Sequence, residues 1–162
     1  MGIDAELFRN TLAKWASGVT VVTTTHDGRP HGLTVSSFSS VSLDASLILV
    51  CISHRAASLP VLMAAGHFAV NILSSSQQEV ARRFAGMIPD IVDRFEGVEY
   101  STLETGSPLL DGALAWIDCR TAQTVVAGDH TIFVGEIVAA SVFDEVPLVY
   151  TNRRWGSFVP LT

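Results

Sequence analysis

Every position from Val19 to Thr25 is β-branched. Two heavy atoms on each Cβ crowd a helical turn and suit the pleated surface of a sheet, so this run reads as a strand. His26-Asp-Gly-Arg-Pro30 follows, with Asp-Gly as a turn signal. His31-Gly-Leu-Thr-Val-Ser36 then returns as a second strand. The chain thus opens its sheet with a hairpin.

The segments around this hairpin follow the same logic. Asp4 is a candidate N-cap for an amphipathic helix from Asp4 to Trp15, with Leu7, Phe8, Leu12 and Trp15 at helical spacing and Gly18 as its stop. Ser37-Phe-Ser-Ser40 is small and polar, unlike a core strand. Leu47-Ile-Leu-Val-Cys-Ile52 is an apolar run of strand length, expected to be buried on both faces. Ser58 is the expected cap of a short helix over Leu59–Ala65, with Pro60 tolerated in the first turn and Gly66 ending it. His67–Leu73 reads as a strand. Ser76-Gln-Gln-Glu79 reads as a capping box opening a helix with Val80, Phe84 and Met87 on one face. Residues 88–111 form the least regular stretch, a long surface connection with the character of a lid. Strands are expected again at Ala113–Gln123, Thr131–Ala140 and Leu148–Thr151. Strands outnumber helices and are joined by turns rather than βαβ units. The expectation is one domain over residues 1–162, mainly β with peripheral helices, built as an antiparallel barrel.

Composition narrows the partners. The 162 residues suit one domain with one sizeable core. Only 16% are charged while 48% are hydrophobic, which points to surface covered by another subunit. The formal net charge of -6 and the scattered basic residues argue against nucleic acid as a partner. Cys51 and Cys119 belong to no CxxC and read as reduced, buried thiols. No apolar run approaches the roughly 20 residues needed to cross a bilayer, and Asp4 and Glu6 stand where a signal peptide needs basic residues. The expected location is the cytoplasm, with no membrane contact.

Phosphate-binding glycine motifs, HExxH, cysteine clusters and a GxSxG elbow are all missing, so no Rossmann, P-loop, metal or serine-hydrolase site is signalled. Three segments carry polar chemistry. Gly32-Leu-Thr-Val-Ser-Ser-Phe-Ser-Ser-Val41 gathers hydroxyls and backbone N–H groups that can edge a planar heterocycle, and it reads equally as a Ser-rich strand-to-loop transition. Ser53-His-Arg-Ala-Ala-Ser58 brings hydroxyls and an Arg to a helix start, an arrangement that holds a phosphate or forms an ordinary capped loop. Arg82 and Arg83 add charge to such a phosphate or favour their helix C-terminus. Gly128-Asp-His-Thr131 places one imidazole at a strand rim, as ligand contact or turn residue. Tyr150 and Trp155 read as core or interface aromatics.

Four blocks, in order, resemble the short-chain flavin reductases, the reductase components of two-component flavin monooxygenases. They are Gly32–Ser42; Phe68–Ser74 with Gln77 and Arg83-Phe-Ala85; Gly128–Ile137; and Pro147-Leu-Val-Tyr150 with Arg154. Phe8–Val22 shares the resemblance, which thus spans nearly the whole chain. It implies an FMN-binding split β-barrel, a homodimer with flavin near the subunit interface, and hydride transfer from NADH or NADPH to FMN or FAD. Reduced flavin would then diffuse to a partner monooxygenase. Carried over by position, Thr34, Val35, Ser36, Ser37, Phe38, Ser39 and Ser40 line the isoalloxazine and ribityl chain, with Cys51 in the same cofactor-binding set. Ser53 and Ser58 meet the phosphate, Arg83 and Phe84 lie near its end, and His130 sits where nicotinamide stacks. The protein's work in such a reaction is stacking two rings in contact and donating hydrogen bonds to the flavin edge where charge develops. A split-barrel flavin or haem carrier without reductase activity is the alternative reading. A pyridoxine-phosphate-oxidase-like enzyme is less favoured, because no basic cluster for a second phosphate is evident.

Overall fold

A computed structural model describes residues 2–161. Helix α1 (Ala5–Leu12) starts where expected: the Asp4 carboxylate accepts from the backbone N–H groups of Glu6 and Leu7, both at 2.8 Å. The helix stops at Leu12 rather than reaching Trp15, and none of its residues is buried. Strand β1 (Ser17–Gly18) contains the glycine expected as a helix stop.

The predicted hairpin is present as β2 (Thr20–His26) and β3 (Arg29–Val35). Asp27 and Gly28 take φ of 50° and 71°, the two positive values that let a two-residue turn match the twist of its strands. Both faces of β2 are covered: Val22 faces one core cluster, and Val21, with Val19 just before the strand, the other. The remaining large-sheet strands are β4 (Phe38–Ser42), β5 (Leu47–Ser53), β6 (His67–Ile72), β9 (Ala115–Ala127) and β10 (His130–Val142). Short strands β7 (Tyr100–Ser101) and β8 (Leu109–Leu110) pair with each other, and β11 (Leu148–Thr151) and β12 (Arg154–Ser157) join β1 in a three-stranded sheet.

The seven-stranded sheet has the order β3-β2-β6-β9-β10-β5-β4, with every pairing antiparallel. Its two edge strands, β3 and β4, are consecutive in the chain and linked only by Ser36 and Ser37. Three Cα steps from Val35 to Phe38 reach about 11 Å at most. Flat, seven strands would stand about 29 Å apart edge to edge. The sheet must therefore curl until its edges meet, and they meet without pairing. This is a split barrel. Val35, Val50, Phe68, Cys119 and Phe133 come from five of its strands and pack in one cluster, the barrel interior.

Several local expectations are corrected. Ser37–Ser40 is not a strand-to-loop transition, because Phe38–Ser42 is an edge strand paired with β5. Strand β5 alternates: Ile48, Val50 and Ile52 are buried while Leu47, Leu49 and Cys51 are half-buried, so only one face lies in the core. Helix α2 (Leu59–Ala65) has Ser58 at the N-cap position, but the Ser58 hydroxyl makes no cap bond. The capping box is Ser74–Gln77, not Ser76–Glu79, and precedes a 3-10 turn at Ser75–Gln77. Helix α3 (Gln78–Phe84) buries Ala81 and Phe84, while Met87 lies past its end and is exposed. Residues 88–111 are irregular as expected, yet not a free lid: Phe95, Ser107, Leu109 and Leu110 are buried. Strand β9 runs on to Ala127, and β12 lies beyond the expected last strand. Among the described residues, no helix is long and apolar enough to cross a membrane.

Candidate active site

A cleft of about 990 Å³ runs along β3. All residues from Arg29 to Thr34 line it, so the strand presents its unpaired edge rather than one face. The loop Arg55–Ser58, Phe84 and Ala85 at the end of α3, and the segment Val92–Phe95 complete the lining. The cleft thus lies along the edge of β3 that no strand covers.

Its wall is built by close packing. Gly32 faces the Phe84 ring, and a Cβ there would stand 2.9 Å from Phe84 Cε1. Phe84 meets Phe95 edge to face at 4.9 Å between ring centroids. Arg94 locks the corner: its Nη1 donates to the carbonyls of Phe84 at 2.9 Å and Gly32 at 3.4 Å. Arg83 of α3 reaches the other way, donating to the carbonyls of Glu96 and Arg94. The two arginines tie segment 94–96 and the end of α3 to each other.

The cleft is basic. Arg29, Arg55 and Arg94 line it with His31, against a single carboxylate, Asp93. Among the described residues, none of those three arginines has a carboxylate within ion-pair distance. One Asp93 oxygen already accepts from the Phe95 N–H at 2.8 Å. A cluster of guanidiniums without carboxylate partners, Arg94 half-buried and Arg29 and Arg55 exposed, is a site for an anion of phosphate type.

The expected site residues divide. Thr34, Ser58 and Phe84 line the cleft. The Thr34 hydroxyl donates to the Ala81 carbonyl at 2.7 Å, so its part is to hold α3 against β3. Ser58 keeps a hydroxyl free of capping. Val35 is in the barrel core, and Phe38 packs against it. Ser37 Oγ bridges the Cys51 backbone, accepting from its N–H at 3.1 Å and donating to its carbonyl at 2.9 Å, which pins the Ser36-Ser37 link to β5. Ser39 Oγ donates to the Ser40 carbonyl, and both residues are exposed. Ser36 lines a separate hollow of about 240 Å³ with Trp15 and Tyr150. Ser53 Oγ accepts from the Arg55 N–H at 3.3 Å and lies outside the cleft. Arg83 is engaged by carbonyls and also lies outside, and Arg82 pairs with Glu79 at 3.5 Å. His130 opens β10 in register with Ser53, and its Nδ1 sits 2.7 Å from Asp129 Oδ1. That contact holds the exposed Asp129 carboxyl below its ordinary value.

Sequence reasoning missed Arg29, His31 and Arg94. Arg29 and His31 follow the hairpin turn, where the sequence pattern signals only turn and strand. Arg94 lies in the irregular stretch, where no periodicity marks a functional residue.

The family described as "Flavin reductase like domain" matches residues 12–158. The chain belongs to the flavin reductase family. Its relatives include an actinorhodin polyketide dimerase of Streptomyces coelicolor, 39% identical over 97% of this chain and 88% of that protein. The reductase subunit HsaB of a flavin-dependent monooxygenase from Mycobacterium tuberculosis is 38% identical over 91% of this chain and 75% of its own length. The FMN reductase (NADH) SmoA of Agrobacterium fabrum is 38% identical over 97% and 88%. Among solved structures, flavin reductase PheA2 superposes with a TM-score of 0.91 at 38% identity, covering 98% of this chain and all of that one. The NADH:FAD oxidoreductase SgcE6 of Streptomyces globisporus, in complex with NAD and FAD fragments, gives 0.89 at 34% identity over 99% and 98%.

The residues of this flavin reductase fit a phosphorylated flavin. The donor set is right for a phosphate: unpaired guanidiniums and an uncapped serine hydroxyl beside a cleft of ligand size. Strand β3 pairs only with β2 and β4 only with β5, so both present unused backbone donors and acceptors at the split. Such edges suit the polar rim of a flat heterocycle.

Proposed function

We propose that this chain is the reductase half of a two-component flavin monooxygenase, a flavin oxidoreductase that takes hydride from NADH or NADPH and releases reduced FMN or FAD to a partner oxygenase. The observation that carries the reading is the basic cleft along the free edge of β3, in a chain whose family is the flavin reductases.

The hydride-accepting chemistry belongs to the bound flavin. This chain's residues bind and orient. Ser58 and Arg55 hold the flavin phosphate. The Ser36–Ser40 segment, with Ser37 bonded to the Cys51 backbone of β5, presents backbone groups to the ring edge. His130 meets the nicotinamide through Nε2, because Asp129 fixes its Nδ1. Holding two rings in contact converts an encounter into a near-unimolecular step, which accounts for several kcal/mol of barrier, on the order of 7–11 at best.

The enzyme acts as a homodimer. Leu7, Phe8 and Leu12 on α1 are all about half exposed, and Trp15 just beyond the helix is 77% exposed, so this apolar surface lacks cover within one chain. A cytoplasmic location agrees with two free thiols and no disulfide among the described residues. The deciding experiment is anaerobic addition of excess NADH or NADPH to protein with FMN or FAD. A reductase bleaches the flavin absorbance within its turnover time. A binding protein that holds flavin and leaves it oxidised would refute the reading.

A further inference from the structure

His54 stands between the two regions assigned to ligands. It follows Ser53 at the end of β5 and opens the loop whose residues Arg55–Ser58 line the cleft. Its backbone N–H donates to the Asp129 carbonyl at 2.9 Å. Its Nε2 lies 3.1 Å from Thr131 Oγ1. Asp129 and Thr131 are the chain neighbours of His130. One residue of the cleft loop thus grips the chain on both sides of the imidazole assigned to nicotinamide.

The grip is held at both ends. Thr131 is only 5% exposed, and His54 is the one partner of its hydroxyl among the described residues. A buried hydroxyl left without a partner is costly, which keeps the His54 ring in place. The loop beyond it is short and tied down. Ser53 Oγ accepts from the Arg55 N–H at 3.3 Å, and the Ser53 carbonyl accepts from the Ala56 N–H at 2.9 Å. Ala56 packs against the barrel core. Arg55 makes a further link. The Asp129 carboxyl is held below its ordinary value first by its hydrogen bond with His130, and with less weight by the Arg55 charge. The guanidinium that lines the cleft therefore also acts on the carboxylate that fixes His130. A ligand that orders Arg55 and Ser58 orders the His130 turn with them.

We infer that His54 is a positioning residue: it couples the loop that meets the flavin phosphate to the turn that carries His130, so that a bound phosphate tightens nicotinamide binding. The inference rests on the reductase reading, which places phosphate at one end of this loop and nicotinamide at the other. The ladder pairing of His130 with Ser53 fixes the backbone there. The side-chain bond of His54 to Thr131 is the part that a substitution can remove while the ladder stays.

Steady-state reduction of saturating FMN and of saturating riboflavin at varied NADH or NADPH tests it on wild type, His54→Leu, His54→Gln and Thr131→Val. Wild type is expected to show a nicotinamide KM about threefold or more lower with FMN than with riboflavin, because only FMN carries the phosphate. His54→Leu and Thr131→Val should each raise the KM measured with FMN by about three- to tenfold and bring the two flavins together. Their double variant should be no worse than either alone, since one bond is lost in all three. His54→Gln, whose terminal amide can reach Thr131 in place of Nε2, should stay within about twofold of wild type. FMN affinity measured without nicotinamide should move less than about twofold, because the loop keeps its bonds to Ser53. A wild-type KM that is the same with both flavins overturns the inference. So does an unchanged KM in both His54→Leu and Thr131→Val. If such a protein still reduces flavin, the reductase reading stands and only the coupling fails. If wild type reduces neither flavin, the reading fails and the inference with it.

Discussion

Gly32 and Phe84 are in contact at a distance that leaves no room for a side chain. A Cβ on residue 32 would stand 2.9 Å from Phe84 Cε1 and 3.0 Å from Cδ1. The ring cannot give way, because it is fully buried and held edge to face by Phe95. This contact welds α3 to the edge strand that lines the cleft, so the wall of the site is set by core packing.

Gly32→Ala is therefore expected to destabilise by about 1–3 kcal/mol, as overpacking does. For a chain of this size each kcal/mol lowers the melting temperature by about 2–4 °C. Gly135→Ala is the control. Its Cβ would meet Phe68 Cζ at 2.6 Å in the barrel interior, away from the cleft. Both variants should melt early, and only Gly32→Ala should also weaken flavin. Equal flavin affinity in the two would show that the Gly32–Phe84 wall does not shape the site.

The Ser58 hydroxyl sits at the N-cap position of α2 without making a cap bond. Ser58→Ala should thus cost little stability, unlike removal of a working cap, which costs about 1 kcal/mol. It should weaken FMN by about 1.5–3 kcal/mol through a lost bond to a charged group, and leave riboflavin unchanged. Parallel titrations of the two flavins make the comparison. An equal loss for both would move the phosphate away from Ser58.

The sequence was legible where local chemistry decides structure. The β-branched run from Val19 and the Asp27-Gly28 turn needed no tertiary information, and the hairpin formed where they stand. Strand β4 was illegible because an edge strand need not be apolar. It is held by pairing with β5 and by the Ser37 bridge to Cys51, neither of which leaves a hydrophobic pattern. The capping box slipped by two residues because Ser74, Ser75 and Ser76 are chemically equal. The choice falls to Ser74, whose hydroxyl donates to the Gly112 carbonyl while Gln77 reaches Asp111. The cleft was legible at Thr34, Arg55, Ser58 and Phe84. Arg94 takes its meaning from two carbonyls, that of Gly32 62 residues away and that of Phe84 10 residues away, which no spacing rule connects.

The two thiols should differ in reactivity. Burial, followed by the nearby Asp118 charge, pushes Cys119 up to about 12, so it holds almost no thiolate at neutral pH. Cys51 is half-buried on β5. A thiol-specific reagent at pH 8 should titrate one cysteine per native chain, identified as Cys51 by peptide mapping, and both after unfolding. Saturating flavin should slow the native reaction if Cys51 belongs to the flavin-lining set. Modification of Cys119 in the folded protein would contradict the packing around β9.

Stability should fall on mild acidification through His67. Its Nδ1 is 2.8 Å from Ser107 Oγ, and Ser107 in turn meets Thr105, which donates to the buried Asp118 carboxylate. Burial lowers the His67 pKa, with Asp118 opposing and His26 reinforcing the shift. The folded state therefore prefers the neutral ring. Its contribution is present above the ordinary His value of about 6.5 and is lost as pH falls towards and through the lowered folded value. Melting temperatures between pH 8 and 5 should decline less steeply in His67→Gln than in wild type. Parallel declines would assign the acid sensitivity to other groups.

His130 is the last residue whose role the geometry sharpens. Its Nδ1 lies 2.7 Å from Asp129 Oδ1, and an ionised carboxylate can only accept, so the proton is on Nδ1 and Nε2 is left as the free nitrogen. The ring is about half exposed at the start of β10, directly across from Ser53 at the end of β5. It can meet a ligand at the barrel rim without disturbing the core. Removing it should raise KM for the nicotinamide and slow flavin reduction by about 1–2 kcal/mol, roughly five- to thirtyfold, as for one lost hydrogen bond. Flavin affinity should move less than twofold. Asp129→Asn keeps the imidazole but exchanges its acceptor-only carboxylate partner for an amide, and should give a smaller effect of the same kind. Stopped-flow reduction at varied nicotinamide concentration, paired with flavin titration, separates the two steps. A His130→Ala variant with unchanged nicotinamide kinetics and weakened flavin would make this imidazole a turn residue that supports the Ser53 loop.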